Sequence, residues 1–327
     1  MLKYILKRLG LSVLILLGVS LIIYALIRSM PTDYVTAKVL ETAQYLSEED
    51  VAAKVAAMNK AYGLDTNIIQ GYGTWLVKLC RLDFGDSFLY GEPVIDVIKG
   101  SMGVSFIVAL IATIFEFLIA IPLGITAATH QYSARDYIVT ILVMIGISLP
   151  SFFFGQLLKS LFSMNLGWFP SSGLVDATVD LSGFGRLLDY AAHLFIPITT
   201  VVILSIGGRM RMTRTNMLEV MNSDYIRTAR AKGLKERIVI YKHAFRNTLI
   251  PLVTSLAGLL PSLFSGAIIT EQVFGLDGIG NIALNRMMQG DIPFIMGYNM
   301  FLAMLSVLGV LLSDLMYVIV DPRVKLD

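Results

Sequence analysis

Six apolar segments dominate this sequence, and each is long enough to cross the hydrocarbon core of a bilayer as a helix. That core is about 30 Å thick and a helix rises about 1.5 Å per residue, so about 20 apolar residues are sufficient. Only 15% of the residues are charged, whereas soluble domains contain about 25%. The sequence therefore predicts an all-α membrane protein with six transmembrane helices. The predicted spans are residues 9–28, 101–129, 137–163, 191–208, 250–270 and 297–320.

The first span is similar to the apolar region of a signal peptide, but two features favour a helix that is retained. Its apolar run is about 19 residues, whereas that region of a signal peptide has about 7–15. No A-x-A cleavage pattern follows it. We therefore expect residues 1–30 to form an N-terminal tip and the first transmembrane helix.

Basic residues are concentrated on the side of the membrane that carries the N-terminus. Lys7 and Arg8 precede the first span, and ten Lys or Arg residues lie between Arg209 and Arg246. Because cytoplasmic loops carry an excess of Lys and Arg, this distribution predicts that both termini are cytoplasmic. Residues 321–327 are then a cytoplasmic tail.

Residues 31–100 form the largest predicted segment on the outer side. Ser47 is a candidate helix N-cap, acidic residues follow it, and Gly63 is a candidate helix end. We therefore expect a helical insertion after the first span. Two interpretations stay open, namely a small cap over the outer face and a docking surface for an extracytoplasmic partner.

The predicted cytoplasmic loop 209–249 is too long for a simple turn, and its pattern indicates ordered structure. A helix is predicted from Asp224 to Lys232, with Asn222 or Ser223 as its cap and Gly233 at the left-handed position that ends it. A second helix is predicted over residues 235–246. The central stretch consists of Asp224, Tyr225, Ile226, Arg227, Thr228, Ala229, Arg230, Ala231, Lys232, Gly233 and Leu234.

The two faces of the predicted helix differ in chemistry. At 100° per residue, one face contains Tyr225, Ile226, Ala229 and Gly233, and Arg227 and Arg230 lie on another. The first face suits close approach by another protein, and the second suits pairing with carboxylates. A solvated basic loop, or one that binds anionic lipid, is the alternative.

The stretch DYIRTARAKGL, followed by HAFRNTLIPLV, resembles the cytoplasmic coupling loop of binding-protein-dependent ABC importers. The general motif of that loop is E-A-A followed by Gly four residues after the second Ala. Arg227, Thr228, Ala229 and Gly233 occupy those positions, so Arg and Thr replace Glu and Ala. These departures, and the longer spacing to Pro251, resemble the dipeptide/oligopeptide permease branch. Further segments from MLKYILKRLG to VDPRVKLD extend the resemblance over nearly the whole chain.

The resemblance implies a type I, MetI-like importer fold with residues 101–320 as its transmembrane domain. It implies a pore-forming permease subunit in a prokaryotic plasma membrane that moves di- or oligopeptides by alternating access. The implied partners are two ABC ATPase subunits, a second homologous permease and an extracytoplasmic solute-binding protein. A homodimeric pore is the less favoured variant, and no nucleic-acid partner is implied.

No chemistry for ATP hydrolysis is predicted in this chain. It contains no G-x-x-x-x-G-K-[ST] motif, so the resemblance implies that ATP and Mg are bound by partner subunits. Cys80 and the three histidines show no metal-ligand spacing, and neither a metal site nor a catalytic residue is predicted.

The translocation path is predicted less directly. Gly258, Ser262 and Gly266 recur every four residues in the fifth span, and together with Ser255 they are candidates for lining it. Helix packing is the alternative explanation for such small residues. The ionisable residues within spans, Glu116 and Asp314, are functional candidates because burying a charge in a bilayer is costly.

Other functions stay open at this point. A secondary transporter would use Glu116 and Asp314 as a proton or cation relay, but it predicts inverted repeats, which are not evident. A membrane-embedded enzyme would need a catalytic cluster that the histidines do not provide. Nickel chelates, glutathione or oligosaccharides are alternative solutes for the same machinery.

Overall fold

The computed structural model describes residues 2–30, 34–42, 47–87, 91–176, 178, 181–255 and 258–320. Within these ranges the regular structure is helical, apart from one isolated β-bridge between Asp86 and Pro93. The predicted tail, residues 321–327, lies outside the described residues. The chain divides into two units, one built from residues up to Gly103 with Ile282–Leu308, and one from Val104–Asn281 with the continuation from Gly309.

Fifteen α-helices and two π-helical segments, Lys159–Asn165 and Val239–Phe245, are present in the described part of the chain. The α-helices are α1 (Leu2–Arg28), α2 (Tyr34–Thr42), α3 (Glu48–Ala61), α4 (Ile68–Leu79), α5 (Val94–Thr129), α6 (Ala134–Ser148), α7 (Ser151–Leu158), α8 (Gly183–Met221), α9 (Asp224–Ala231), α10 (Glu236–Ile238), α11 (Arg246–Ser255), α12 (Leu259–Phe264), α13 (Ile268–Phe274), α14 (Ile279–Met288) and α15 (Ile292–Val320).

Four helices are long and apolar enough to cross a membrane unaided, namely α1, α5, α8 and α15. Two broken helix pairs bring the number of candidate spans to six, since α6 pairs with the helix after it and the segment Leu259–Phe274 pairs with α14. The prediction of an all-α membrane protein is confirmed, but two of its six spans are interrupted.

The third predicted span, residues 137–163, is not one straight helix. It bends by 101° between Ala134–Ser148 and Ser151–Asn165. Leu149 is extended, with φ −84° and ψ 133°, and Pro150 follows it. Proline disfavours the helical conformation of the residue before it and has no N–H to continue the ladder. Pro150 therefore ends the helix.

The fourth predicted span, residues 191–208, is the middle of a longer helix. α8 begins at Gly183 and continues to Met221, passing through Pro197. The boundary predicted at 208/209 is absent, because Arg209 and Arg214 have ion-pair partners on neighbouring helices and do not require a solvent-exposed loop.

The fifth predicted span, residues 250–270, is also interrupted. α11 ends at Ser255, and Gly266 has a left-handed φ of +73° between α12 and α13. A left-handed residue cannot continue a right-handed helix, and glycine adopts that conformation without steric cost.

In the unit that contains the N-terminus, α1 makes aromatic contacts with α4 and polar contacts with the loop between α3 and α4. The Tyr24 ring lies 5.6 Å from the rings of both Tyr72 and Trp75. Arg28 donates hydrogen bonds to the carbonyl oxygens of Leu64, at 2.8 Å, and Thr66. The described residues between the first span and α5 are largely helical.

The predicted start and end of α3 are both confirmed. The Ser47 hydroxyl accepts a hydrogen bond from the Asp50 N–H at 3.2 Å. Gly63, just after the helix, has φ +62°. These are the N-cap and left-handed glycine that the sequence indicated.

In the second unit, α5 and α8 approach closely at Gly124. A Cβ atom on Gly124 would lie 2.6 Å from the Cβ of Thr213 and 2.8 Å from the Met210 carbonyl oxygen. One contact is with backbone and the other with a buried β-branched side chain, so neither can move easily. The glycine sets the distance between the two helices.

We expect Gly124→Ala to lower the stability of the protein by about 1–3 kcal/mol, because the added methyl group overpacks the contact between α5 and α8. The measurement is thermal unfolding in detergent. The matched control is Gly103→Ala on the same helix, where no atom lies within 4 Å of the added Cβ. An unchanged or raised melting temperature for Gly124→Ala would contradict this assignment.

Candidate functional site

The predicted coupling segment folds as a compact element between α8 and α11, here called the hook (Asp224–Phe245). It consists of α9, a left-handed Gly233 with φ +74°, α10 and the π-helical segment Val239–Phe245. The predicted order of helix, glycine and helix is therefore present. The second helix differs from the prediction in that its middle part is π-helical and runs directly into α11.

The buried face of α9 attaches the hook to the ends of two long helices. Ile226 is fully buried and Ala229 is 9% exposed. They belong to one apolar cluster with residues from α5, α8 and the π-helical segment, namely Ile125, Ala128, Met217, Val239 and Ala244. α9 therefore packs directly against the ends of α5 and α8.

The exposed face of α9 is mixed in character. Tyr225 is 47% exposed. The prediction that its face is open to another protein is wrong for Ile226 and Ala229, because both are buried against α5 and α8 within the chain. Arg227 is also exposed and lies 3.6 Å from Asp224. The exposed surface of α9 thus carries an aromatic ring and an ion pair.

Arg230 is committed to a partner within the hook. Its Nη2 donates to Glu236 Oε1 at 2.7 Å and its Nε donates to Glu236 Oε2 at 3.2 Å. The Arg230 guanidinium holds the pKa of the Glu236 carboxyl below its ordinary value. The pair connects α9 to α10 across Gly233. This contact was not predicted from the sequence, although the two residues are only six positions apart.

Ser223 is the N-cap residue of α9, as predicted, but the side chains of Ser223 and Asn222 bond to α8 instead. Ser223 precedes α9, but its hydroxyl donates to the Val220 carbonyl at 2.6 Å. Asn222 Nδ2 donates to the Leu218 carbonyl at 3.0 Å. The last carbonyl groups of a helix have no partner within it, and these two side chains satisfy carbonyls in the last turn of α8.

The intramembrane candidate Glu116 lies on α5 and is paired. Arg209 Nε donates to Glu116 Oε1 at 3.0 Å, and Arg209 Nη1 donates to the Ser255 hydroxyl at 2.6 Å. The structure thus brings Glu116 and the path candidate Ser255 to the same cation. The other ionisable candidate, Asp314, is a buried residue of α15.

The four path candidates do not form a stripe on one helix. Ser255 ends α11, Gly258 precedes α12, Ser262 is an exposed residue of α12, and Gly266 lies in the break before α13. The small-residue spacing assumed a continuous helix, and the left-handed Gly266 interrupts it.

Glu271 is a buried carboxylate that the sequence analysis did not single out. It is fully buried and accepts hydrogen bonds from the Ser105 hydroxyl at 2.6 Å, the Ala267 N–H at 3.0 Å and the Asn281 N–H at 2.9 Å. A Cβ on Gly278 would lie 2.4 Å from this carboxylate. Glu271 therefore satisfies the backbone where helices are broken, and the nearby glycines in EQVFGLDGIG were the available signal.

Two family models match the chain. The model described as "Binding-protein-dependent transport system inner membrane component" matches residues 120–326, and its N-terminal companion matches residues 1–109. The chain belongs to this family of inner-membrane transport components. It is accordingly a multi-pass membrane protein, and the resemblance identified from the hook is confirmed.

Curated relatives match along their whole length. The chain is 35% identical over 326 residues to the oligopeptide transport system permease protein AppB of Bacillus subtilis, covering 99% of this chain and 100% of the relative. It is 32% identical over 342 residues to the dipeptide transport system permease protein DppB of Escherichia coli, covering 99% of each.

A solved structure supports the fold. The inward-facing MetNI methionine ABC transporter has a chain that matches with a TM-score of 0.54 at 17% identity, covering 69% of this chain and 97% of that one. The fold is thus of the type I importer class.

The Arg230–Glu236 ion pair should make the stability of the hook depend on pH. Its contribution to hook stability is fully present above the ordinary Glu pKa of 4.5 and is lost as pH falls through the lowered pKa. Both side chains are partly exposed, so the contribution is at most about 1 kcal/mol. At pH 7, Glu236→Gln should therefore speed backbone hydrogen exchange in residues 224–238 by a few-fold.

The difference in exchange rate between Glu236→Gln and the wild type should shrink as the pH falls below the pKa of the folded Glu236 carboxyl. Lys235→Gln removes a neighbouring exposed charge and serves as the control. Equal exchange rates in the wild type and Glu236→Gln at pH 7 would show that the pair does not stabilise the hook.

Proposed function

We propose that this chain is a pore-forming permease subunit of an ATP-driven importer of di- or oligopeptides. The observation that supports this most directly is the match to oligopeptide and dipeptide permeases over essentially their entire length. The chain provides the conduit, and partner subunits that bind ATP and Mg provide the energy.

The proposed assembly contains two ABC ATPases, a second homologous permease and an extracytoplasmic solute-binding protein. The distribution of Lys and Arg places the hook and both termini in the cytoplasm under this proposal. Residues 31–100 then lie outside, where the binding protein docks. The described residues of this segment are largely helical, and Arg28 donates a hydrogen bond to the Leu64 carbonyl just after α3. This arrangement suits a surface that receives a protein.

The hook is proposed to dock on an ATPase through its exposed face. Ile226 and Ala229 fix it to α5 and α8, so a displacement imposed on α9 reaches the spans instead of being lost in a mobile tether. Each nucleotide state then favours one orientation of the pore, and bound solute reciprocally biases the ATPases.

A proton or cation relay through Glu116 has less support than the importer. The Glu116 carboxylate already has a charged partner within the protein, since Arg209 Nε lies 3.0 Å from Glu116 Oε1. We therefore keep the ATP-driven importer as the proposal.

The first experiment measures uptake in a strain lacking this chain and in the same strain with the chain restored. Tritiated di-, tri- and penta-alanine are supplied separately. Uptake that depends on the chain and on ATP supports a peptide importer. Uptake unaffected by deletion of the chain, or uptake by the purified chain without partners, would refute the proposal.

Replacing Gly233 tests the hook. Gly233 has φ +74° and open space around its Cβ position, so Gly233→Val introduces backbone strain without a side-chain clash. We expect it to abolish solute-stimulated ATP hydrolysis while membrane insertion is unchanged. Gly233→Asn is the matched control, because asparagine tolerates the left-handed conformation. Normal uptake with Gly233→Val would argue against docking through the hook.

A further inference from the structure

One partly buried cation connects three helices of the second unit. Arg209 on α8 donates from Nε to Glu116 on α5 at 3.0 Å and from Nη1 to Ser255 on α11 at 2.6 Å. Its guanidinium carbon also lies 4.3 Å from the centroid of the Phe117 ring. The Arg209 and Glu116 side chains are only 15% and 12% exposed.

The same three helices meet again at the hook. Met217 of α8 packs in one cluster with Ile125 of α5 and the hook residues Ile226 and Ala229. Thr248 of α11 contacts Met217, with 3.8 Å between the hydroxyl oxygen and the sulfur. The three helices are therefore connected at two levels, one at the hook and one at Arg209.

The two levels are separated along the helices. At about 1.5 Å per residue, about 12 Å of α8 lies between Arg209 and Met217, and about 11 Å of α11 lies between Thr248 and Ser255. α8 leads into the hook and α11 leads out of it. The Arg209–Ser255 hydrogen bond thus closes a ring made of α8, the hook and α11.

We propose that Arg209 is a positioning residue for transport, which makes α5, α8 and α11 move as one body with the hook. Without this link, displacement of the hook by an ATPase would separate α11 from α8 between Thr248 and Ser255. With it, the displacement reaches Ser255, where α11 ends and the broken part of the fifth span begins. This inference rests on the proposed function of the hook.

An ion pair is suited to this task because of its surroundings. Separating a guanidinium from a carboxylate away from water leaves two poorly solvated charges, which is costly. An apolar contact slides at small cost, whereas the pair and its hydrogen bond to Ser255 fix direction as well as distance. Removal of Arg209 leaves the carboxylate of Glu116 without this cation.

The test measures coupling in the complete complex, with both ATPases, the second permease and the binding protein, in proteoliposomes. The readout is the number of tritiated alanine peptides imported per ATP hydrolysed. We expect Arg209→Gln to lower this ratio by at least about five-fold, the lower end of the range for coupling between sites. A purely structural role would reduce the amount of complex but leave the ratio unchanged.

Three further variants make the test specific. The charge exchange Glu116→Arg with Arg209→Glu should restore much of the ratio, because it re-forms the pair. Ser255→Ala should lower the ratio and Ser255→Thr should retain it. Arg214→Gln is the matched control, since it breaks the neighbouring ion pair of α8 with Asp136 on α6 without touching α11, and it should keep the wild-type ratio.

The proposal is overturned if Arg209→Gln or Ser255→Ala forms complex with the wild-type ratio, or if Arg214→Gln lowers the ratio equally. If Arg209→Gln does not assemble, Ser255→Ala and the charge exchange decide the question by the same criterion.

A second readout does not require the solute. Cys80 is the single cysteine of the chain, so Ser262→Cys in a Cys80→Ser background reports thiol labelling at one position of α12. Adding ATP should change the labelling at position 262 in this background. In a chain that also carries Arg209→Gln, adding ATP should leave the labelling unchanged. An ATP-dependent change without peptide uptake would refute the peptide assignment and leave the role of Arg209 intact. A change unaffected by Arg209→Gln would refute the role of Arg209.

Discussion

The packing of Ile226 and Ala229 against the ends of α5 and α8 is the contact on which the mechanical interpretation depends. A short charged helix has little stability by itself, because helix nucleation is costly and tertiary packing supplies most of the stability of helices. Burying the Ile226 and Ala229 side chains orders α9 and leaves its polar face outside. The Arg230–Glu236 pair adds a directional contact across Gly233. The hook is thereby an extension of the long helices.

Charged residues within this apolar chain are placed where backbone or helices need a polar partner. Glu271 accepts from two backbone N–H groups beside the breaks in the helices, and Glu116 and Arg209 neutralise each other between α5 and α8. In a bilayer an unsatisfied polar group is costly, so irregular backbone at membrane depth requires such partners within the protein. Glu116, Arg209 and Glu271 thus each have polar partners within the protein.

Much of the organisation follows from local pattern. The apolar segments predicted the membrane class, Ser47 and Gly63 predicted the ends of α3, and Gly233 predicted the end of the segment that contains α9. These features depend on chemistry within a few residues. Predictions were wrong where contacts with residues distant in the sequence determine the structure. Arg209 and Arg214 suggested a solvent-exposed loop, but carboxylates on α5 and α6 allow them to lie within a continuous helix. Ile226 and Ala229 were expected to face another protein, but they pack against α5 and α8 within the chain.

The sequence by itself determined that the chain enters a bilayer and that a basic, glycine-punctuated element joins two apolar segments, because hydropathy and backbone preference are properties of short stretches. The tertiary structure decided which side chains meet, including Glu116 with Arg209 and Ser255, and Glu271 with Ser105. Residues in these pairs are separated by many turns of helix, and nothing in their local sequence specifies the partner. Only the packing of the helices brings them within hydrogen-bonding distance.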